Sequence, residues 1–154
     1  MSLFVECNPD EALAFALGVS RRDVEHAGNR AGVCKQVSCR SGAVGMIDED
    51  PDTAPLPYMK TLAEQSAEHE IRVLYDSQRN NRLVVICPRL EEWLVQSAKS
   101  SGLKMTDFGF DSDNGRHLHR EINDRLPNVK RLVGALLSAG NLRILRLQSL
   151  IKPG

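Results

Sequence analysis

Short apolar runs that stop at carboxylates recur along the chain. Leu3-Phe4-Val5 ends in Glu6 and breaks at Asn8-Pro9, and Ala43-Val44-Gly45-Met46-Ile47 ends in Asp48-Glu49-Asp50 before Pro51. Runs of this length without polar alternation predict strands buried on both faces, as in a parallel sheet. Ile71-Arg72-Val73-Leu74-Tyr75 and Leu83-Val84-Val85-Ile86-Cys87 predict two more strands, separated by a polar turn from Ser77 to Arg82.

Between these runs the apolar spacing becomes helical. Asn8-Pro9-Asp10-Glu11 is a helix start, with Asn8 as the cap, Pro9 in the first turn and Glu11 three residues on as in a capping box. Leu13, Phe15, Ala16 and Leu17 continue it, and Gly18 ends it. His26 to Gly32 reads as a flexible loop leading into a short helix with Val33 and Val37 inward. Leu56, Met59, Leu62 and Ala63 predict a helix running to about Glu70 after a proline-rich loop. Arg89 to Ser101 is helical in pattern. Val129, Leu132, Val133, Leu136 and Leu137 mark another helix, which Gly140-Asn141 breaks before a last one through Leu142, Leu145 and Leu150.

Strands alternating with helices predict an α/β fold: a mostly parallel sheet of about four strands flanked by helices, with a helical C-terminal segment. No internal repeat or linker divides the chain, and 154 residues suit one domain. No apolar stretch approaches the roughly 20 residues that span a bilayer, and no basic, then apolar leader opens the sequence, so the expected location is cytoplasmic, away from membranes. Cys7, Cys34, Cys39 and Cys87 contain no C-x-x-C pair, so the thiols read as buried or incidental.

The carboxylates carry the candidate chemistry. Ligands of open α/β sheets bind beyond the carboxyl ends of the strands. If the first two strands are neighbours, Glu6, Asp48 and Asp50 meet there, and a hard divalent cation, Mg²⁺ or Mn²⁺, is the usual relief for such repulsion. The plainer account is that acidic residues at strand ends cap helices or begin turns. Glu6 resists that account, because a glutamate flush against an apolar run needs a partner once it is buried.

Net charge is zero, but it is unevenly spread. From Gly115 onward eight basic residues (Arg116, Arg120, Arg125, Lys130, Arg131, Arg143, Arg146, Lys152) face only Glu121 and Asp124, an excess of six matched by a deficit of six before it. A basic surface beside an acidic metal site suits a nucleic-acid phosphate backbone, whereas solvated helix faces would look the same in sequence.

A strand ending in glutamate, a capped helix, a glycine-containing loop and helix, and a strand ending in D-x-D together resemble the Toprim domain. The carriers are Val5-Glu6-Cys7-Asn8-Pro9-Asp10 and Ile47-Asp48-Glu49-Asp50, and the likeness covers about residues 2 to 90, leaving 91–154 as a helical extension. Toprim domains occur in topoisomerases, primases, RNA-maturation nucleases and nucleases of the overcoming-lysogenization-defect (OLD) family. The resemblance implies an acidic Mg²⁺ site for phosphodiester chemistry with Glu6, Asp48 and Asp50 as catalytic metal ligands, and Asp10 at an extra acidic position of OLD-like members. Two departures stand out. Cys7 replaces the glycine that usually follows the glutamate, and Pro51-Asp52-Thr53 lacks the glycine-containing extension of topoisomerases and primases. The pattern is therefore closer to the OLD-like group.

Further candidates surround this set. Arg89 and Lys35 could hold phosphate, Glu91 could join the metal, and Arg116 and Arg120 could extend the phosphate surface. Gly28 to Lys35 fails the spacing of an ATP-binding phosphate loop, and Asp111 to Gly115 fails that of a calcium loop. His117 and His119 read as surface residues. The expected function is a Mg²⁺-dependent nuclease or related phosphodiester-processing protein acting on DNA or RNA. The alternative is a non-catalytic Toprim-like interaction module working with a separately encoded ATPase, since OLD-like nucleases commonly join this domain to an ATPase.

Overall fold

The computed structural model describes residues 1–152. Its elements run β1 (Leu3–Val5), α1 (Asn8–Ala16), β2 (Val24–His26), α2 (Arg30–Ser38), β3 (Val44–Asp48), α3 (Pro57–Lys60), β4 (Ala63–Glu68), β5 (Ile71–Asp76), β6 (Asn81–Ile86), α4 (Leu90–Ser100), α5 (Gly115–Asp124), α6 (Leu126–Ser138) and α7 (Leu142–Ile151). The strands form one sheet in the order β2-β1-β3-β6-β5-β4. The first four are parallel, and β5 pairs antiparallel with both β6 and β4.

The α/β class and the helical C-terminal part agree with the pattern of the sequence, but the sheet has six strands instead of about four. Both additional strands lie at its edges. β2 is Val24-Glu25-His26, half-exposed to exposed, in a stretch assigned no element, and it meets the expected loop only at His26. β4 is Ala63-Glu64-Gln65-Ser66-Ala67-Glu68, almost wholly exposed, where a helix to Glu70 was expected. The helical spacing of Leu56, Met59 and Leu62 produces only the single turn of α3. Those three side chains do pack together, in the smaller of two apolar clusters. Neither edge strand has an apolar face, so ladder hydrogen bonds to β1 and β5 decide their conformation where local pattern does not. Asn8 is the first helical residue of α1, and Cys7 takes the cap position with no side-chain capping bond.

The two clusters lie on opposite faces of the sheet. Leu3, Val5, Val44, Met46, Val84 and Ile86 face α1, α4 and the C-terminal helices, whereas Phe4, Ile47, Leu83 and Val85 face α2 and α3. Alternation along each buried strand produces this division. Gly45 lets α2 approach β3 closely: a methyl group there would lie 2.6 Å from Val33 Cγ1 and 2.8 Å from Leu83 Cδ2.

This arrangement fixes where a ligand can bind. From β1 the chain moves outward through α1 to β2, then returns through α2 to β3 on the other side of β1. Because α1 and α2 cover opposite faces, the carboxyl ends of β1 and β3 flank a crevice at a topological switch point. Glu6 follows β1, and Asp48 ends β3.

Candidate metal and phosphate site

Glu6 and Asp48 are joined directly. The Asp48 backbone N–H donates to Glu6 Oε2 at 2.8 Å, and Asp48 Oδ1 accepts from the Leu90 N–H at 3.1 Å, at the first turn of α4. Asp48 thus lies between the exit of β1 and the positive end of a helix, where free amides favour an anion. Burial nevertheless dominates. It pushes the Asp48 carboxyl up to about 9, and the nearby carboxylates Asp10, Glu6 and Glu91 add to that rise. Asp10, on α1 and almost fully buried, is pushed up to about 7, chiefly by burial with Glu6 adding to it. Glu6 is raised as well, mainly by burial, against the pull of the Asp48 amide and Arg30.

Asp50 behaves differently. Its backbone is left-handed, with φ of 47°, and its N–H donates to the Pro88 carbonyl at 3.0 Å. Its carboxylate pairs with Arg89, whose Nη2 lies 3.1 Å from Asp50 Oδ1 and 2.8 Å from Asp52 Oδ2. The Arg89 Nη1 reaches Glu92 Oε1 at 3.3 Å. One guanidinium therefore bridges three carboxylates.

These groups open onto a pocket of about 540 Å³. Six carboxylates, Glu6, Asp48, Asp50, Asp52, Glu91 and Glu92, line it together with Arg30, Arg89, Arg116 and His119. Asp10 lies behind the pocket, where Cys7 Sγ donates to its Oδ2 at 3.3 Å. The thiol that replaces the expected glycine thus turns toward Asp10, and burial raises its pKa, so it stays a protonated donor.

Of the basic candidates, Arg89 and Arg116 belong to the pocket lining, whereas Lys35 on α2 and Arg120 on α5 are exposed and lie outside that lining. Arg143 and Arg146 are engaged within the fold. Arg143 stacks on Trp93 at 5.1 Å, donates from Nε to Ser97 Oγ at 2.8 Å and pairs with Glu70, and Arg146 reaches Ser66 Oγ at 3.1 Å.

Sequence reading missed Arg30 and His119, and it left Asp52 and Glu92, which also line the pocket, out of the candidate set. Arg30 donates to the Glu49 carbonyl at 2.8 Å and to the Ala54 carbonyl at 2.7 Å, tying the start of α2 to the loop after β3. Asn29 capping the Gly32 N–H at 2.7 Å was the available signal that a helix starts here. His119 lies on α5, where buried Leu118 and Ile122 fix its helix face, and its Nδ1 is 2.7 Å from Glu91 Oε1. Gly115 brings the start of α5 onto α4, since a methyl group there would lie 2.9 Å from Glu92 Cα.

A hard divalent cation fits this donor chemistry: all the acidic groups offer oxygen, and Asp48 is crowded by three other carboxylates. The side chains have other partners as they stand. Among the described residues no three His, Cys, Asp or Glu side chains already form a set that could hold a metal. No helix among them is long and apolar enough to cross a membrane. No family model matches this chain, and no curated protein or solved structure does so either.

Proposed function

We propose that this chain is a Mg²⁺- or Mn²⁺-dependent nuclease, or a related phosphodiester-processing protein, built on a Toprim-like site. The observation that carries the reading is the company of Asp48. It ends a central parallel strand at the switch point, three other carboxylates raise its pKa, and four basic side chains share its pocket. Acidic groups crowded beside arginines suit a cation and a phosphate bound together.

A bound divalent ion would polarise the scissile phosphate and offset charge on the leaving oxygen. Asp48 and Glu6 are placed to hold it, with Asp50 and Glu91 at the pocket wall and Asp10 supporting from behind. Arg89 and Arg116 would grip phosphate oxygens, and Arg89, with its planar fork, is suited to a bidentate contact. No Phe, Tyr, Trp or large apolar side chain lines the pocket among the described residues, and stacking is left to the His119 ring and the arginine planes. Recognition through the backbone, with little base preference on DNA or RNA, follows from that lining.

The test is replacement of Asp48 and Asp50 together by alanine. Mg²⁺-dependent cleavage of DNA or RNA should disappear in the folded double variant, and cleavage that persists removes these residues from the chemistry. The second reading, a non-catalytic interaction module with a separate ATPase partner, draws support from the Arg89–Asp50 ion pair, which occupies one of the proposed metal ligands. Calorimetric titration with Mg²⁺ and Mn²⁺ separates the two, since a folded protein that binds neither ion favours the module.

A further inference from the structure

The arginine that bridges three carboxylates at the pocket wall occupies a place that the metal reading assigns to an ion. Arg89 takes only Oδ1 of Asp50, so arginine and ion could share the carboxylate through its two oxygens, but only at a cost in repulsion. A divalent ion on its carboxylate and a guanidinium 3.1 Å from the same group repel each other at short range. Asp50 is the less mobile partner, because its N–H is bonded to the Pro88 carbonyl and its loop is tied to the end of β6 through Glu49 N–H and the Ile86 carbonyl at 2.8 Å. Arg89 is the more mobile, a long side chain about one-third exposed, held at Asp52 by a carboxylate that is 87% exposed. Contacts of that kind are weak, so releasing them costs little.

We propose, on the footing of the metal-site reading, that Arg89 is an exchangeable internal counter-ion. It neutralises Asp50, Asp52 and Glu92 while no divalent ion is bound, and passes to a substrate phosphate when an ion takes Asp50. Asp50 is then never left unpaired, while Asp52 and the partly exposed Glu92 pass to water. Ion and phosphate each favour binding of the other, because each removes the partner that opposes the other's entry, and the coupling is reciprocal by thermodynamic linkage. Arg89 needs no movement of the sheet for this, since it already lines the same pocket as Glu6 and Asp48.

The experiment is titration of the metal-free protein with Mn²⁺ alone, followed by calorimetry, for the natural chain and for Arg89→Gln, Arg89→Lys and Arg116→Gln. Arg116 lines the same pocket but forms no ion pair among the described residues, so its variant removes the same charge without releasing Asp50 from Arg89. Arg89→Gln should bind Mn²⁺ about fivefold tighter, the scale of one partly exposed ion pair, and Arg116→Gln should gain less than about twofold. Arg89→Lys keeps the charge but loses the planar fork that spans three carboxylates, so it should fall between and serves if the glutamine variant does not fold. Inorganic phosphate should tighten Mn²⁺ binding in the natural chain more than in Arg89→Gln. Unchanged or weaker Mn²⁺ binding in the Arg89 variants, or an equal gain in Arg116→Gln, overturns the exchange while leaving the metal site standing. Absence of Mn²⁺ binding in the natural chain overturns the metal reading itself, and the exchange with it.

Discussion

His119 Nδ1 lies 2.7 Å from Glu91 Oε1, so the C-terminal helical segment is fastened to the candidate site by a histidine–carboxylate contact. Glu91 is buried on α4, whereas the His119 side chain is 77% exposed on α5. The contact therefore gives the carboxylate a partner and, with the close approach at Gly115, holds the start of α5 over the pocket.

Removing the histidine should loosen α5 without unfolding the sheet. His119→Ala is expected to speed amide hydrogen exchange through residues 115–124 by about threefold to tenfold, the loss of one partly exposed hydrogen bond to a charged group. Exchange in β3 and β6 should not change. Equal protection of α5 in both proteins would show that Leu118 and Ile122 alone hold the helix.

The raised carboxyl groups make stability depend on pH. Asp10 and Asp48 have folded-state values of about 7 and about 9 against 3.8 for the free side chain, so the folded state binds more protons than the unfolded one across that interval. The contribution of these two groups in chelator should therefore be full below about pH 4 and be lost progressively as pH rises through 7 and toward 9. A divalent ion held by these groups should reverse the trend, with the largest gain in melting temperature at the alkaline end. A melting temperature independent of pH between 5 and 9 in chelator would contradict the burial of these charges.

The sequence foretold those parts of the molecule that apolar pattern alone determines. β1 and β3 are nearly continuous buried runs, β5 and β6 are buried but for Arg72, Tyr75 and Arg82, and α4, α6 and α7 carry apolar stripes that join the same cluster as one face of the sheet. Glu6 and Asp48 could be placed because a strand end is a definite location. β2 and β4 could not be read, since their conformation comes from ladder bonds along the sheet edges and leaves no mark in side-chain type. Arg30 and His119 are polar residues on helices, and only the packing of α2 and α5 against their neighbours brings them to the pocket.

Asn81 marks another contact invisible to pattern. Fully buried at the start of β6, it accepts from the Ala43 N–H at 2.8 Å and donates to the carbonyls of Val37 and Arg40, each at 2.8 Å. It joins the end of α2 to the entry of β3. Asn81→Leu would leave the buried Ala43 amide without its partner and remove the part-buried bond to the Arg40 carbonyl, at a cost of about 2 kcal/mol. Urea unfolding should show a lower midpoint with an unchanged slope, and a midpoint equal to that of the natural chain would refute the role.

The basic C-terminal segment separates into arginines available to a ligand and arginines engaged in the fold. Arg116 lines the pocket, whereas Arg143 is mostly buried between Trp93, Ser97 and Glu70. If nucleic acid binds at this pocket, Arg116→Gln should weaken binding at every sequence tested. It should also lower the log–log salt slope by about 0.7 to 0.9, the change for one phosphate contact. Arg143→Gln should leave that slope unchanged and instead reduce stability, because it removes the Ser97 hydrogen bond and the stacking on Trp93. Fluorescence anisotropy across a salt series, paired with urea unfolding of each variant, measures both quantities. A salt slope altered by Arg143→Gln but not by Arg116→Gln would move the nucleic-acid surface away from the acidic pocket and onto the face formed by α7 and β4.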